Sequence, residues 1–158
     1  MKRILLTVLL MFGVIVARNT DETTGWEYDA STQQAFYMFA GITGDFSGNH
    51  VNEQYMSKSS FGHRIAHGAL LVGFMSTTST MMIARCVEKG IDETPVSLGY
   101  DGIRFIKPVF INDTVTVTYT ISDIDIKKRR SLSDITVLNQ KGDTVAVGRH
   151  ILKWVSDT

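Results

Sequence analysis

The sequence has little cysteine, little proline and no excess of charge of either sign. A single cysteine, Cys86, excludes an internal disulfide and a multi-cysteine metal site, so neither fold nor chemistry can depend on paired thiols. Two prolines in 158 residues exclude a proline-rich disordered chain. The 16 basic side chains balance 16 acidic ones, which excludes a global field that would attract nucleic acid. The densest basic run, at 127–130, is interpreted as a solvated hairpin turn.

The chain does contain enough apolar sequence for one compact domain, since 44% of its residues are hydrophobic and 20% are charged. Its first three residues are basic or Met, residues 4–16 are almost wholly apolar, and Ala17 offers a small residue at a possible cleavage point. That run is shorter than the roughly 20 residues of a membrane span, so no stable membrane insertion is expected. Residues 1–17 are therefore an export signal, an organellar presequence or an upstream-start extension. Residues 18–158 are expected to form the domain.

The spacing of the apolar residues is helical in the first half of the chain. It predicts a helix through 35–40 that a hydroxyl at 31–32 caps and that Gly44 ends. A short strand is expected at 26–28 and a second short helix around 52–58. After these comes a long segment that is apolar or small at nearly every position, which predicts a helix buried on most sides. That segment covers residues 66–89.

Beyond Gly90 the apolar residues alternate with polar ones, which is typical of half-buried strands. The pattern predicts four antiparallel strands, within 102–106, 114–121, 132–138 and 145–155, with turns at 112–113, 127–130 and 142–143. The long helix has no other large apolar surface to bury against, so the sheet is expected to curve around it. The predicted fold class is therefore α+β.

Asp45 and His50 are the first candidates for chemistry, because a carboxylate and an imidazole are the commonest proton-transfer groups at neutral pH. They lie in a predicted loop in which Gly44 and Gly48 can adopt positive φ, so that the two side chains can face each other. A simpler interpretation also stands. Asp45 can be a turn residue, and His50 can be an ordinary surface histidine.

Gly68 is the third candidate, because it lies at the start of the long helix. Its N–H has no partner within the helix and lies at the positive end of the helix dipole. With no side chain, it lets a ligand oxygen approach, and a thioester carbonyl placed there would have its developing negative charge stabilised. Close packing or a simple helix start would also explain a glycine at this position.

Two segments together resemble a known family: residues 43–51 read TGDFSGNHV, and residues 61–70 read FGHRIAHGAL. They are similar to the Gly-Asp-x-Asn-Pro-(Ile/Leu)-His and Phe-Gly-x-x-Ile-x-His-Gly motifs of the MaoC-like dehydratases, the (R)-specific enoyl-CoA hydratase group of the hot-dog fold. Residues 104–114, RFIKPVFINDT, resemble a strand-turn-strand segment of the same family. The resemblance covers roughly residues 30–155.

The resemblance implies a hot-dog fold, with a sheet wrapped around a central helix, in a homodimer or dimer of dimers. Asp45 and His50 would activate a water and deliver a proton to the α-carbon of a 2-enoyl thioester, while the Gly68 N–H holds the thioester carbonyl. The substrate would be an acyl-CoA or an acyl-carrier-protein thioester, with no cofactor beyond the coenzyme A of the substrate, no metal and no nucleic acid. The resemblance favours a cytoplasmic protein. If residues 1–17 are a targeting segment, the protein would be exported or organellar.

Three positions depart from the family motif: Ser47 replaces its asparagine, Gly48 its proline and Asn49 its aliphatic residue. A serine hydroxyl offers fewer hydrogen bonds than a carboxamide, and Asn49 could supply the missing amide from two positions on. Ser47 and Asn49 are therefore the other two candidate substrate-binding residues. The departures concern the identity of the acyl group more than catalysis, since Asp45 and His50 remain.

Two other functions fit the same fold. A hot-dog thioesterase commonly carries an acidic residue on the central helix, and none is present at 66–87. A non-catalytic acyl-thioester binding protein is consistent with the altered loop. The remaining histidines, His63, His67 and His150, are interpreted as structural and not as metal ligands, because no acidic or histidine partner stands at ligand spacing on a common face. His67 can cap or pack the helix, and His150 can point outward from a strand. Met75, Met81 and Met82 are predicted to line the core or the acyl chain.

Overall fold

The computed structural model describes residues 15–16 and 33–156 of the chain. Within them the elements are β1 (Ile15–Val16), α1 (Gln33–Thr43), α2 (Gly48–Val51), α3 (Glu53–Met56), α4 (Gly68–Glu88), β2 (Thr94–Phe105), β3 (Val115–Asp125), β4 (Arg130–Asn139) and β5 (Thr144–Val155). The predicted order of two early helices, one long helix and four strands is confirmed. The strand expected at 26–28 lies outside the described residues.

The strands form one antiparallel sheet in the order β1-β3-β4-β5-β2. This arrangement confirms the predicted α+β class. Two residues of the apolar N-terminal segment take part, because Ile15 pairs with Tyr119 and Val16 with Thr118 of β3. Strand β2 pairs with β5 on one side only, so it forms an edge of the sheet as described.

The predicted turns fall where the backbone needs unusual φ values. Asn112 and Arg129 are the described non-glycine residues with positive φ, at 71° and 53°, and Gly142 has φ 81°. Each lies in one of the three turns expected from the sequence. Asn and Gly tolerate the left-handed region, whereas arginine enters it at a steric cost that the tight β3–β4 hairpin imposes.

Helix α4 packs one face against the sheet. Its buried stripe recurs every three or four residues and consists of Leu71, Met75, Thr78, Ser79, Met82 and Cys86. Leu71, Met75, Met82 and Cys86 join side chains from β3, β4 and β5 in the main core cluster, where each large buried apolar side chain contributes about 1.5–3 kcal/mol. The two predicted methionines of this stripe are therefore core residues.

The opposite face of α4 is exposed, so the prediction that this helix is buried on most sides is wrong for a single copy of the chain. The exposed positions are mostly small, and they are Ala69, Gly73, Ser76, Thr77, Thr80, Ala84, Arg85, Val87 and Glu88. The sheet can cover only one side of a cylinder, and the small side chains on the other side were counted as core in the sequence. By length and composition α4 could also cross a membrane, but a core helix meets the same criteria and the buried stripe shows this packing.

Cys86 is a structural residue of the buried core. Its side chain is fully buried, and Sγ donates to Sδ of Met82 at 3.3 Å. Burial raises the pKa of the thiol to about 11, which keeps it protonated at neutral pH. The interpretation of Cys86 as structural filler agrees with this environment.

His150 points into the protein, which contradicts the prediction that it turns outward. Only 2% of its surface is exposed, and its ring stacks on Tyr100 at a centroid distance of 4.3 Å. Its Nε2 is hydrogen-bonded to Ser97 Oγ at 2.8 Å and its Nδ1 to the Tyr119 hydroxyl at 2.9 Å. Every second residue of this part of β5 faces the core, and His150 falls in the same series as the buried Leu152 and Trp154. The alternation in the sequence therefore indicated a buried His150.

Burial lowers the pKa of His150 below its usual value of 6.5, because the imidazolium loses hydration. We therefore expect the free energy of unfolding to fall as the pH drops below about 6.5, because the unfolded chain then takes up a proton that folded His150 does not. The slope from this group is at most about 1.4 kcal/mol per pH unit. Urea titrations at pH 7.5, 6.5 and 5.5 measure it.

His150→Gln should give a shallower slope, even if it lowers stability at every pH. Ile126→Gln in the exposed β3–β4 turn is the control, because it introduces the same side chain without removing a histidine and should leave the slope as in the wild type. Equal slopes for His150→Gln and the wild type would contradict the assignment.

Candidate active site

Asp45 follows the end of α1, at the point where Gly44 reverses the chain. Gly44 has φ 77°, and its N–H donates to the Ala40 carbonyl at 2.8 Å, as expected for a glycine that ends a helix. The predicted helix end is therefore confirmed. The Asp45 carboxylate is exposed, and its Oδ1 accepts a hydrogen bond from the Ser47 N–H at 3.2 Å. This leaves Oδ2 as the free oxygen of an oriented carboxylate.

His50 lies on α2 and not in a loop, which corrects one sequence prediction. The Ser47 carbonyl accepts from the His50 N–H at 2.9 Å and so starts a helical turn. Gly48, expected to take positive φ, is the first residue of that turn and does not. A Cβ there would lie 3.2 Å from the ring of Tyr55, so another side chain would require that exposed ring to shift by a few tenths of an ångström. The backbone at Gly48 is therefore helical and needs no unusual φ.

Ser47 and Asn49 contact each other. Ser47 Oγ donates to Asn49 Oδ1 at 2.8 Å, and the Asn49 carbonyl accepts from the Ile65 N–H at 3.0 Å. In this arrangement the two residues that depart from the family motif brace the segment between Asp45 and His50. The sequence suggested that Asn49 could replace the amide of the motif's asparagine. In the structure this amide is bonded to Ser47.

The ring of His50 is oriented by a backbone carbonyl. Its Nδ1 lies 2.8 Å from the Ile65 carbonyl oxygen. Because that oxygen can only accept, Nδ1 carries the hydrogen, and Nε2 of the neutral ring has a free lone pair. The half-buried His50 therefore presents one nitrogen that can accept or return a proton.

His67 is the residue whose role the sequence reasoning missed. It is 2% exposed and precedes α4, but its side chain makes no capping bond. Instead, Nε2 lies 3.0 Å from the Asp45 carbonyl, and its ring stacks on His50 at 3.8 Å. The expectation that the histidines have no partners at ligand spacing is wrong, because polar atoms of Asp45, His50 and His67 lie within 4.8 Å of one another. Within the described residues, this group could also hold a divalent cation.

The segment that carries His67 is held by a second set of contacts. Glu53 Oε2 accepts from both the backbone N–H and Nε of Arg64, at 3.1 and 3.2 Å, and Arg64 also donates to the Tyr37 hydroxyl at 2.9 Å. The pKa of Glu53 is lowered by its hydrogen bonds to His63 and Arg64. His63 therefore lies on the surface beside Glu53, apart from the Asp45–His50–His67 group.

His50 and Gly68 face one open cleft of about 290 Å³. The cleft is lined by His50, Phe61, Ile65, Ala66, Gly68, Leu71, Phe105, Ile106, Lys107, Pro108 and Val109. Gly68 is the first residue of α4, so its N–H has no partner in the helix. A Cβ at Gly68 would lie 2.4 Å from the ring of Phe105, so a side chain at this wall of the cleft would require the exposed ring of Phe105 to move. A mostly apolar cleft with an imidazole and a helix N-terminus suits an acyl group with a polar reacting end.

Comparison with known proteins agrees with this fold. Residues 15–142 match the MaoC like domain. The (R)-specific enoyl-CoA hydratase of Rhodospirillum rubrum is 36% identical over 98 residues, which are 62% of this chain and 62% of that protein. The Protein MaoC of Klebsiella aerogenes is 28% identical over 65% of this chain and 29% of its own length. The chain therefore spans less than two thirds of the curated relatives it matches first.

Two solved structures are also similar. The (R)-hydratase of A. caviae involved in PHA biosynthesis has a TM-score of 0.69 at 20% identity, over 89% of this chain and 92% of that one. The R-hydratase PhaJ1 of Pseudomonas aeruginosa has a TM-score of 0.60 at 25% identity, over 80% and 76%. The first of these likenesses shows the shared hot-dog fold alone. Because the family match extends from β1 to the β4–β5 turn and includes the candidate site, the chain belongs to the MaoC-like domain family.

Proposed function

We propose that the protein is a hydro-lyase that reversibly hydrates a 2-enoyl thioester to a 3-hydroxyacyl thioester. The observation that carries this proposal is the placement of a carboxylate and an oriented imidazole within 4.8 Å of each other, beside the cleft that contains the first residue of α4. Hydration needs a group that takes a proton from water, a group that returns one to carbon, and a site for the negative charge that forms on oxygen.

Asp45 and His50 supply the proton transfers in this proposal. A water held between Asp45 Oδ2 and His50 Nε2 gives one proton to the pair, and its oxygen forms a bond to C3 of the double bond. The pair then returns a proton to C2, so that the net change is addition of one water without oxidation or reduction. Dehydration is the same sequence in reverse.

Gly68 supplies the site for the negative charge. As C3 is attacked, charge moves to the thioester oxygen, and the N–H at the start of the 21-residue α4 lies at the positive end of its dipole. The absence of a side chain lets the oxygen approach the backbone. Ser47 and Asn49 hold the carboxylate loop in place and are proposed to affect binding through it.

We further propose an acyl-CoA substrate and an (R)-configured product. The support is the name of the Rhodospirillum rubrum relative, an (R)-specific enoyl-CoA hydratase, together with the 3-hydroxybutyryl-CoA dehydratase of Methylorubrum extorquens, which is 30% identical over 59% of this chain. The proposed chemistry needs no cofactor beyond the coenzyme A of the substrate. A coenzyme A substrate favours a cytoplasmic location.

The proposed partner is a second copy of the chain. Among the described residues, strand β2 has one edge without a partner strand, with exposed Val96 and Leu98, and the open face of α4 presents mostly small side chains. Paired β2 edges would extend the sheet from one copy to the next, and two small-residue helix faces can approach closely. An unpaired apolar edge is otherwise a site of aggregation, so a matched copy is the occupant that removes it.

Asp45→Asn and His50→Gln should each lower kcat for hydration of crotonyl-CoA by about 10²–10⁴-fold, because each removes a positioned proton-transfer group at little change in volume. The measurement is the loss of enoyl absorbance, with His63→Gln as a surface control that retains wild-type turnover. Wild-type protein without hydratase activity on short and medium chains would overturn the proposal. Release of free coenzyme A thiol, with the acyl double bond intact, would identify a thioesterase instead.

Gly68→Ala should lower kcat/KM about 10- to 100-fold with little change in the melting temperature. The added methyl meets the ring of Phe105, which is 53% exposed and can swing outward, so the fold tolerates it. The methyl or the displaced ring then occupies the approach of the thioester oxygen, and loss of one such donor costs about 10²–10³-fold. A control, Gly41→Ala, adds a methyl with no atom within 4 Å on an exposed face of α1. Equal activity of both variants would contradict the role of Gly68.

Leu98→Glu should convert the dimer to a monomer, because it places a charge at an apolar edge that a second copy covers. Sedimentation velocity measures the mass, with Ile126→Glu in the β3–β4 turn as a matched control at another exposed apolar position. A wild-type monomer, or a Leu98→Glu protein with unchanged mass, would exclude the β2 edge as the interface.

A further inference from the structure

His67 contacts both proposed proton-transfer residues at once, and this deepens the proposed function, on which it rests. We propose that His67 is a positioning residue, which holds Asp45 and His50 in one geometry and couples both to the start of α4. It neither touches substrate nor transfers the reacting proton. Asp45 and His50 lie close together in the sequence, whereas His67 lies 22 residues beyond Asp45 and touches both.

The first contact fixes Asp45. His67 Nε2 lies 3.0 Å from the Asp45 carbonyl oxygen and 4.0 Å from its Oδ2. Since a carbonyl can only accept, Nε2 carries the hydrogen and donates it to the backbone. The backbone of an exposed residue just beyond a helix end is thereby tied to a side chain that is 2% exposed. The bond leaves both carboxylate oxygens free to bind the Ser47 N–H and water.

The second contact fixes His50. The rings of His50 and His67 stack at a centroid distance of 3.8 Å and an angle of 27°, and Phe39 packs on His67 at 4.8 Å. With Nδ1 of His50 bound to the Ile65 carbonyl, the stack removes the remaining freedom of the His50 ring to tilt. The direction of its Nε2 lone pair is then determined from two sides.

A third relation connects both residues to the helix. His67 is the N-cap residue of α4, and its carbonyl accepts from the Leu70 N–H at 3.1 Å. Its neighbour Gly68 carries the N–H proposed to bind the thioester oxygen. A shift of His67 would therefore move the base, the acid and the oxyanion site relative to one another.

A histidine at position 67 leaves one ring nitrogen without a hydrogen bond, and this indicates what the other nitrogen is for. Nδ1 of His67 is buried and has no hydrogen-bond partner among the described residues, which is unfavourable for a polar atom removed from water. A phenylalanine would fill the same space and stack equally well without that cost, but it could not donate to Asp45. The hydrogen bond to the Asp45 carbonyl is the function that only a nitrogen at this position provides.

A pair of variants separates the hydrogen bond from the packing. His67→Gln places an amide N–H near the position of Nε2 and keeps the donor, whereas His67→Phe keeps the ring and removes the donor. With crotonyl-CoA we expect His67→Gln to retain kcat within about tenfold of the wild type, and His67→Phe to lose about 10- to 100-fold, the range for residues that orient functional groups. KM should change less than about threefold in both variants, since the side chain at position 67 does not touch substrate.

Equal loss in the two variants, a larger loss in His67→Gln, or a rise in KM at unchanged kcat would overturn the proposal. His63→Gln is the matched control for a histidine-to-glutamine change and should match the wild type. A wild-type protein without hydratase activity would remove the proposed function itself, whereas an active wild type with unimpaired His67→Phe would remove only the role of His67.

A measurement on the unaltered protein covers the case in which a variant does not fold. ¹⁵N-labelled histidine spectra should show His67 as the Nε2–H tautomer and His50 as the Nδ1–H tautomer, with a slowly exchanging Nε2–H on His67. Observation of the Nδ1–H tautomer at His67 would exclude the bond to Asp45 and overturn the proposal.

Discussion

The backbone of Ile65 is bound to three parts of the molecule, and the geometry of the site depends on it. Its N–H donates to the Asn49 carbonyl at 3.0 Å, and its carbonyl accepts from Nδ1 of His50. Ile65 also forms an isolated antiparallel β-bridge with Phe110, which lies in the loop after β2. The next residue, Ala66, donates to the Val109 carbonyl at 2.8 Å. Helix α2, the loop after β2 and the start of α4 are thus joined through two consecutive peptide units. Backbone groups in such a crossing must all be paired, which makes the arrangement specific.

Packing and chemistry are separated along α4. Its middle and C-terminal half provide the buried stripe that holds the sheet, so its first turn is free to face the cleft. Asp45 is correspondingly exposed and His50 half-buried, and neither belongs to that stripe. Variants of Asp45 and Gly68 can therefore change turnover without unfolding the protein, which is what makes the proposed mechanism measurable.

Two buried histidines show how the same side chain serves different purposes. His150 has hydrogen-bond partners at both nitrogens, Ser97 and Tyr119, within a closed polar group between helix and sheet. His67 has one partner, the Asp45 carbonyl, and an unpaired second nitrogen beside the stacked ring of His50. The first arrangement satisfies a buried polar side chain. In the second arrangement Nδ1 of His67 stays without a hydrogen bond while Nε2 orients Asp45. A buried polar atom without a partner is a pattern expected near a reaction centre.

The order of elements and the candidate pair could be predicted from the sequence, because they depend on local signals. Alternation gave the strands, Gly44 gave the end of α1, and the motifs at 43–51 and 61–70 placed Asp45, His50 and Gly68. The prediction failed where distant segments meet. His67 and His150 were assigned surface or capping roles, since a single sequence does not show which residues a buried ring will contact.

The sequence by itself thus determined the fold class, the family and the residue types available for proton transfer. The tertiary structure decided that His50 lies on a helix, that its Nδ1 is bound to Ile65, and that His67 lies between Asp45 and His50. It also decided that one face of α4 is open. The physical reason is that helical and alternating periods are properties of neighbouring residues, whereas tautomers, stacking and exposed faces depend on which segments the folded chain brings together.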